Sequence, residues 1–131
     1  MTQNIDAQIK IKAAQDWPDD YVMQDHVINE QKEAYAKITA YSQMDMSNDV
    51  TLICYNKAVN DWPEDYVMQV HVFEAQIQAA FDFLEFNHSG VPQEIIEKLS
   101  INAFADWPND YVMMLHVLTE QVNAWLRINH L

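Results

Sequence analysis

The sequence predicts an all-α protein made of three tandem 45-residue helical hairpins, stacked as a short α-solenoid. The first observation behind this prediction is that the string Asp-Trp-Pro-x-Asp-Tyr-Val-Met occurs three times, with Trp17, Trp62 and Trp107 spaced 45 residues apart. The second is that the 131 residues contain one glycine and four prolines, so few residues interrupt helices. A chain of this length supports one core, and we expect a single domain over residues 1–131 with copies at approximately 1–45, 46–90 and 91–131.

Each copy begins with an apolar stripe that predicts a short helix. Ile5, Ile9 and Ala13 follow one another at four-residue intervals, as do the residues at the same positions in the later copies. Those residues are Val50, Cys54 and Ala58, then Ile95, Leu99 and Ala103. The helix is expected to end at the motif because the residue before a proline avoids the α conformation. Cys54, the only cysteine, is then a small buried hydrophobe.

A second, longer helix is expected to start directly after each tryptophan. Asp16 is the expected N-cap, with Asp19 three residues later, and a proline in the first turn costs no hydrogen bond. The predicted spans are Pro18 to about Ala40, Pro63 to about Asn87, and Pro108 nearly to Leu131. The tryptophan would fill the space under the corner, and the only glycine, Gly90, is expected at a helix C-terminus.

The longer helix has an apolar face and a flank that changes between copies. The face comprises Met23, Val27, Gln31, Ala34 and Ile38, with Tyr21, Ile28 and Tyr35 beside it. The flank reads Asp25, Lys32 and Ala36 in the first copy, Val70, Ile77 and Phe81 in the second, and Leu115, Val122 and Leu126 in the third. We interpret this flank as the surface that meets the preceding copy, so that the polar first copy caps a linear stack and a closed ring is disfavoured.

A period of 45 with two helices per unit lies in the size range of HEAT and armadillo repeats, which the chain resembles in length and layout. The string Trp-Pro-x-Asp-Tyr-x-Met, followed by a later Gln, resembles a recurring element of uncharacterised bacterial helical-repeat proteins. This resemblance implies a helical fold and no particular activity.

Composition excludes some classes of partner. The 20 acidic residues outnumber the 7 basic ones, and the formal charge of −13 repels nucleic acid and anionic lipid. We therefore expect no binding to nucleic acid or membranes. The chain begins without a signal-like segment and has no apolar stretch of about 20 residues, so a cytoplasmic location is expected. The acidic surface serves either solubility or a basic protein partner, even as a mimic of nucleic acid.

Histidines recur in register and offer the alternative prediction of a metal site. His26 and Glu30 share a helix face, as do His116 and Glu120, whereas His71 is followed by Ala75 at the glutamate position. Neighbouring helices lie about 8–10 Å apart, which is too far for the three histidines to share one ion without strong curvature. The competing interpretation is that each histidine lies at the edge of the interface and bonds a neighbouring helix.

The remaining repeated polar residues are expected to be structural. Asp20, Asp65 and Asp110 would accept backbone or tryptophan N–H groups at the corners. Gln31, Gln76 and Gln121 would bond backbone across their own hairpin. We find no nucleophile–base pair, phosphate loop or cysteine cluster, and predict neither catalytic residues nor a cofactor.

The sequence thus predicts a non-enzymatic helical-repeat protein that presents a surface to a protein or peptide. The alternative is a metal-binding protein or metal-dependent enzyme built on the repeated His and Glu positions. The predicted interaction surface comprises Val112, His116, Glu120 and Trp125. It rests on the expectation that the strip of Val22, His26, Glu30 and Glu33 meets the next copy, so that the third copy leaves it uncovered. A homodimer through that copy is one expectation, and the alternative is that the terminal helix folds over this end of the protein.

Overall fold

The computed structural model describes residues 2–131, which form six α-helices and no strand. The helices are α1 (Thr2–Asp16), α2 (Tyr21–Ser42), α3 (Asp49–Asp61), α4 (Tyr66–Leu84), α5 (Gln93–Asp106) and α6 (Tyr111–Asn129). The all-α prediction is therefore confirmed. Within this described part of the chain, every helix is too short or too polar to cross a membrane.

The helices pack in adjacent pairs that are joined through the longer members. Helix α1 packs on α2, α3 on α4, and α5 on α6, while α4 also contacts both α2 and α6. The three long helices therefore lie in a row with α4 in the middle. Each short helix packs mainly on the long helix that follows it in the chain.

Neighbouring long helices point the same way and are shifted along their axes. The ring of Tyr35 in α2 lies 5.0 Å from that of Tyr66 at the start of α4, and Tyr41 lies 4.7 Å from Phe73. The carboxy-terminal half of α2 thus runs beside the amino-terminal half of α4. The ring of Phe83 in α4 lies 6.4 Å from that of Tyr111 in α6, which continues the shift.

The core is concentrated around α4 and α6. Met114, Leu118, Val122 and Cys54 are its largest fully buried side chains, which agrees with the expectation for the cysteine. Burial raises the pKa of the Cys54 thiol to about 11, because a thiolate is disfavoured away from water. In α2 only Ala34 and Ile38 are buried, since no helix pair precedes α1 and α2 among the described residues.

The predicted starts of the long helices were three residues too early. Asp16 is the last residue of α1, and α2 begins at Tyr21 with Asp20 as its N-cap. Asp20 Oδ1 accepts the Met23 N–H at 3.1 Å, and Asp65 and Asp110 cap α4 and α6 through the equivalent N–H groups at the same distance. The Asp20 N–H donates to the Trp17 carbonyl, so a turn separates the two helices. The motif aspartate before the tyrosine is therefore the cap.

Three other expectations were wrong. Helix α4 ends at Leu84, which leaves Gly90 in the loop before α5 and not at a helix C-terminus. Tyr21 is 72% exposed because nothing described lies beyond the outer side of α2. Phe81 is 61% exposed, whereas Val70 on the same predicted flank is buried. The shift between α2 and α4 explains this difference, since α2 extends along only the first part of α4.

Candidate interaction sites at the corners and the two ends of the helix row

Glutamine side chains fasten the starts of α4 and α6 to the long helix that precedes each of them. Gln31 Nε2 in α2 donates to Asp65 Oδ1 at 2.9 Å, and Gln31 Oε1 accepts the Tyr66 N–H at 2.8 Å. Asp65 Oδ1 also accepts the Met68 N–H, so the carboxylate caps α4 while it binds α2. One amide therefore satisfies both an acceptor and a donor at the first turn of α4. We call this arrangement the Gln clamp.

The second Gln clamp repeats the first, 45 residues later in the sequence. Gln76 Nε2 donates to Asp110 Oδ1 at 2.9 Å, and Gln76 Oε1 accepts the Tyr111 N–H at 2.7 Å. The expectation that these glutamines bond backbone across their own hairpin was wrong, because their partners belong to the next helix pair. Sequence spacing alone could not show this, since it does not reveal the axial shift between the long helices.

Each clamped corner fits into a groove between the two helices of the preceding pair. Asp65 and Glu64 share one surface pocket with Gln8 of α1 and Gln31 of α2. The Tyr66 hydroxyl donates to Gln8 Oε1 at 2.8 Å, so the corner touches both walls. In the next groove, Lys57 Nζ of α3 lies 3.6 Å from Asp110 Oδ2.

Asp110 keeps its charge in this setting. Burial by itself would raise the pKa of Asp110, but hydrogen bonds from Gln76 and the Met113 N–H, together with Lys57, hold the pKa below its ordinary value. The carboxylate is therefore ionised at neutral pH and stabilises the junction between α3, α4 and α6.

The two ends of the helix row each carry half of a Gln clamp. Gln121 stands 90 residues after Gln31, and its side chain is exposed on α6, where no Asp-Tyr corner contacts it among the described residues. At the other end, Asp20 and Tyr21 form a corner that no preceding glutamine contacts among the described residues. Tyr66 and Tyr111 are 7% and 3% exposed, compared with 72% for Tyr21.

The motif tryptophans lie on the surface of the corners. Trp17, Trp62 and Trp107 are 41%, 40% and 40% exposed, so the expectation that they fill the space beneath the corner was wrong in this respect. Side-chain amides hold the corner backbone in the first two copies, where Gln24 donates to the Trp17 carbonyl and Gln69 to the Trp62 carbonyl. A partly exposed indole therefore recurs at each of the three corners.

The histidine ladder does not converge. His26 Nε2 lies 3.3 Å from Glu30 Oε1, and His116 Nε2 lies 3.3 Å from Glu120 Oε1, each within a single helix turn. All three ladder histidines are exposed. Nowhere in the described part of the chain do three His, Cys, Asp or Glu side chains come together in a way that could hold a metal ion. The expectation that these histidines bond a neighbouring helix was wrong for His26 and His116.

The structure divides the predicted interaction surface between two sides of α6. Val112, His116 and Glu120 form an exposed stripe at four-residue intervals. Trp125 is half-buried and follows His116 by nine residues, which places it about 180° around the helix. The stripe and Trp125 therefore cannot form one surface on α6.

The strip that begins at Val22 is exposed in the third copy, as expected, but its first residue is more exposed in the first copy. Val22 is 80% exposed, whereas Val67 and Val112 are 37% and 42% exposed. Val67 lines a surface pocket with Glu30 and Glu33 of α2, so the start of the second strip borders the preceding helix pair, while Glu30 and Glu33 of the first strip border the next pair, as expected. The start of the strip is most open in the first copy.

Comparison of the chain with protein-family models, with curated proteins and with solved structures finds no match.

Proposed function

We propose that the protein is a non-enzymatic helical-repeat scaffold that binds a basic segment of a partner protein along its tryptophan corners. In this proposal the three helix pairs are the units of a short α-solenoid, and the Gln clamps fix one unit to the next. The pairing of α1 with α2, α3 with α4 and α5 with α6, joined through α4, supports this architecture.

The observation that carries the proposal is the equal exposure of the motif tryptophans. A side chain that served only the packing of neighbouring units would be more exposed where no unit follows. Among the described residues no further corner follows Trp107, yet its exposure of 40% equals that of Trp62 in the middle of the row. The tryptophans therefore offer apolar surface that the packing of the units leaves open, and exposed aromatic surface is typical of protein-binding sites.

The groups around the tryptophans favour a cationic partner. Each motif tryptophan is flanked in the sequence by carboxylates. They are Asp16, Asp19 and Asp20 in the first copy, Asp61, Glu64 and Asp65 in the second, and Asp106 and Asp110 in the third. Some are already paired, as Asp16 is with Lys12 and Asp61 with Lys57, and Asp65 and Asp110 are held in the Gln clamps, so the remaining carboxylates are the ones available to a partner. An arginine or lysine can stack on an indole face while a carboxylate neutralises its charge. A basic segment also gains from attraction to a protein of formal charge −13.

Titration with synthetic peptides tests this proposal. The probe is an arginine-rich peptide, its control is the same peptide with glutamate at every arginine, and binding is followed by calorimetry and by tryptophan fluorescence. We expect the arginine peptide alone to bind, and to bind more weakly as salt increases. Replacing Trp62 by Ala should weaken binding, whereas replacing Trp125 by Phe, which lies outside the corners, should not.

The proposal is wrong if the two peptides bind equally. It is also wrong if the arginine peptide binds with the same affinity to variants that lack any one of the three corner tryptophans. Circular dichroism of each variant establishes that the helices remain folded.

A further inference from the structure

We propose that this protein self-associates head to tail, with the Asp20–Tyr21 corner of one copy inserted into the groove between α5 and α6 of another. This inference goes beyond the proposed function and does not depend on the tryptophan corners. The internal corners at Asp65 and Asp110 already show the geometry of the contact. The two ends of the row differ from those contacts mainly in that nothing within residues 2–131 occupies them.

The groove between α5 and α6 is the open counterpart of two filled grooves. Position by position, Gln121 corresponds to Gln31 and Gln76, and Leu99 corresponds to Ile9 and Cys54. Ile9 and Cys54 are 4% and 0% exposed beneath the corners that follow them, whereas Leu99 is only half-buried. Leu99 thus remains accessible where its equivalents are covered.

The far wall of this groove is apolar and open. Ile128 occupies the position of Phe83 in the preceding copy, and the ring of Phe83 contacts that of Tyr111. Trp125 occupies the position that is Ala80 in the second copy and Tyr35 in the first. Tyr35 in turn contacts the ring of Tyr66. An incoming tyrosine would therefore lie against Trp125 and Ile128, and Ile128 is 65% exposed without it.

The opposite end already has the shape that such a groove accepts. Asp20 caps α2 through the Met23 N–H at 3.1 Å, the same distance as in the two clamped caps. The Asp20 carboxylate and the Tyr21 N–H thus occupy the same positions at the start of α2 as the Asp110 carboxylate and the Tyr111 N–H occupy at the start of α6. Gln76 binds the latter two groups, and Gln121 of another copy would bind the former two. Because this first turn is already helical, docking requires little further ordering of backbone.

One pair of charges is complementary across the proposed junction. Lys37 and Val70 line one surface pocket at the first internal junction. The equivalent residues at an intermolecular junction are Arg127 of one copy and Asp25 of the next. Asp25 and Lys32 were interpreted from the sequence as marks of a polar cap. In this contact Asp25 instead meets a cation, and the junction is more polar than the internal ones.

We call the Asp20–Tyr21 corner the head and the groove between α5 and α6 the tail. An assembly built through this contact has one free head and one free tail after each copy is added. Such a heterologous interface produces open chains unless its rotation closes a ring, whereas a homodimer through two tails stops at two copies. The docked copies lack the covalent link that joins the internal units, so we expect the association to be reversible and to increase with protein concentration.

Sedimentation equilibrium on the full chain tests the proposal. The expected result is an average mass that rises with concentration from 15.3 kDa beyond that of two copies. Tyr21→Glu blocks the head and Ile128→Glu blocks the tail, and each variant alone should remain at the monomer mass. Mixed in equal amounts, the two variants should form a complex of one copy of each and nothing larger, because one competent head and one competent tail remain.

The control is Phe81→Glu, which places the same charge on a side chain of similar exposure, 61%, away from both ends. It should assemble as the unsubstituted protein does. Circular dichroism must show unchanged helix content for all three variants, and Gln121→Ala, at an exposed position, provides a second tail variant.

A monomer mass at every concentration overturns the proposal. So does dimerisation of Tyr21→Glu by itself, which would indicate a tail-to-tail contact. Peptide binding at the tryptophan corners is measured on the two end-blocked variants, so loss of assembly and loss of peptide binding are separate outcomes.

Discussion

Gln76 and Asp110 join α4 to α6 through a hydrogen bond of 2.9 Å, in which the glutamine amide donates to the carboxylate that caps α6. The same glutamine accepts the Tyr111 N–H through its carbonyl oxygen at 2.7 Å. Gln76 is only 3% exposed, and among the described residues every buried side-chain nitrogen or oxygen has a hydrogen-bond partner. A buried polar residue here therefore sets how far α6 is shifted along α4.

Removal of the cap carboxylate should cost more at Asp110 than at Asp20. Both residues cap a long helix at 3.1 Å, but only Asp110 also binds Gln76 and Lys57. We expect Asp20→Ala to lower the free energy of unfolding by about 1 kcal/mol, as for other N-caps. Asp110→Ala should lower it by about 2–3 kcal/mol, since a buried amide also loses its acceptor. Urea denaturation of the two variants measures the difference, and equal losses would contradict the clamp.

Truncation of the clamp glutamine should depend on which copy carries it. Gln76→Ala leaves the Tyr111 N–H and the Asp110 carboxylate without their partner, and we expect a loss of about 1–3 kcal/mol. Gln121→Ala removes an exposed side chain, and its effect on a dilute monomer should stay within about 0.5 kcal/mol. Thermal or urea denaturation at low protein concentration compares them, and a larger loss for Gln121→Ala would refute this assignment.

Acid should weaken the junction at Asp110. Its pKa in the folded protein lies below the ordinary value of 3.8, so the carboxylate contributes stability above that pH. The contribution is lost as pH falls through the folded pKa, and below that pH the folded and unfolded states are both protonated. Asp110→Asn cannot ionise. We expect the difference in unfolding free energy between the unsubstituted protein and this variant to shrink on acidification, as measured by urea titrations at several pH values. A difference that grows toward acid would reverse the assigned sign.

The corner tryptophan should matter less for stability than a buried core residue. A buried tryptophan truncated to alanine typically costs about 3–5 kcal/mol. Trp62 is 40% exposed, so we expect Trp62→Ala to cost about 1–2 kcal/mol, since only part of the side chain leaves a nonpolar environment. Leu118→Ala, at a fully buried position, is the comparison and should cost about 2–5 kcal/mol. If Trp62→Ala is the more destabilising of the two, the tryptophan belongs to the core.

The local sequence did not identify which aspartate caps each long helix. Both Asp16 and Asp20 precede an apolar helical pattern, and only Asp16 is followed three residues later by an acidic residue, Asp19, as in a capping box. The choice between them depends on whether the chain turns before or after Trp17-Pro18. The structure places the turn across these residues, with the Asp20 N–H donating to the Trp17 carbonyl, and the helix therefore starts at Tyr21.

The sequence by itself determined the helical class and the equivalence of positions 45 residues apart, because helix propensity, apolar periodicity and exact repetition are local properties of the chain. Only the tertiary structure decided which equivalent residues meet. The axial shift between long helices brings Gln31 to Asp65 and Gln76 to Asp110, and it leaves Gln121 and Tyr21 exposed at opposite ends. That shift results from packing of side chains far apart in the sequence, such as Tyr35 on Tyr66, which no local pattern specifies.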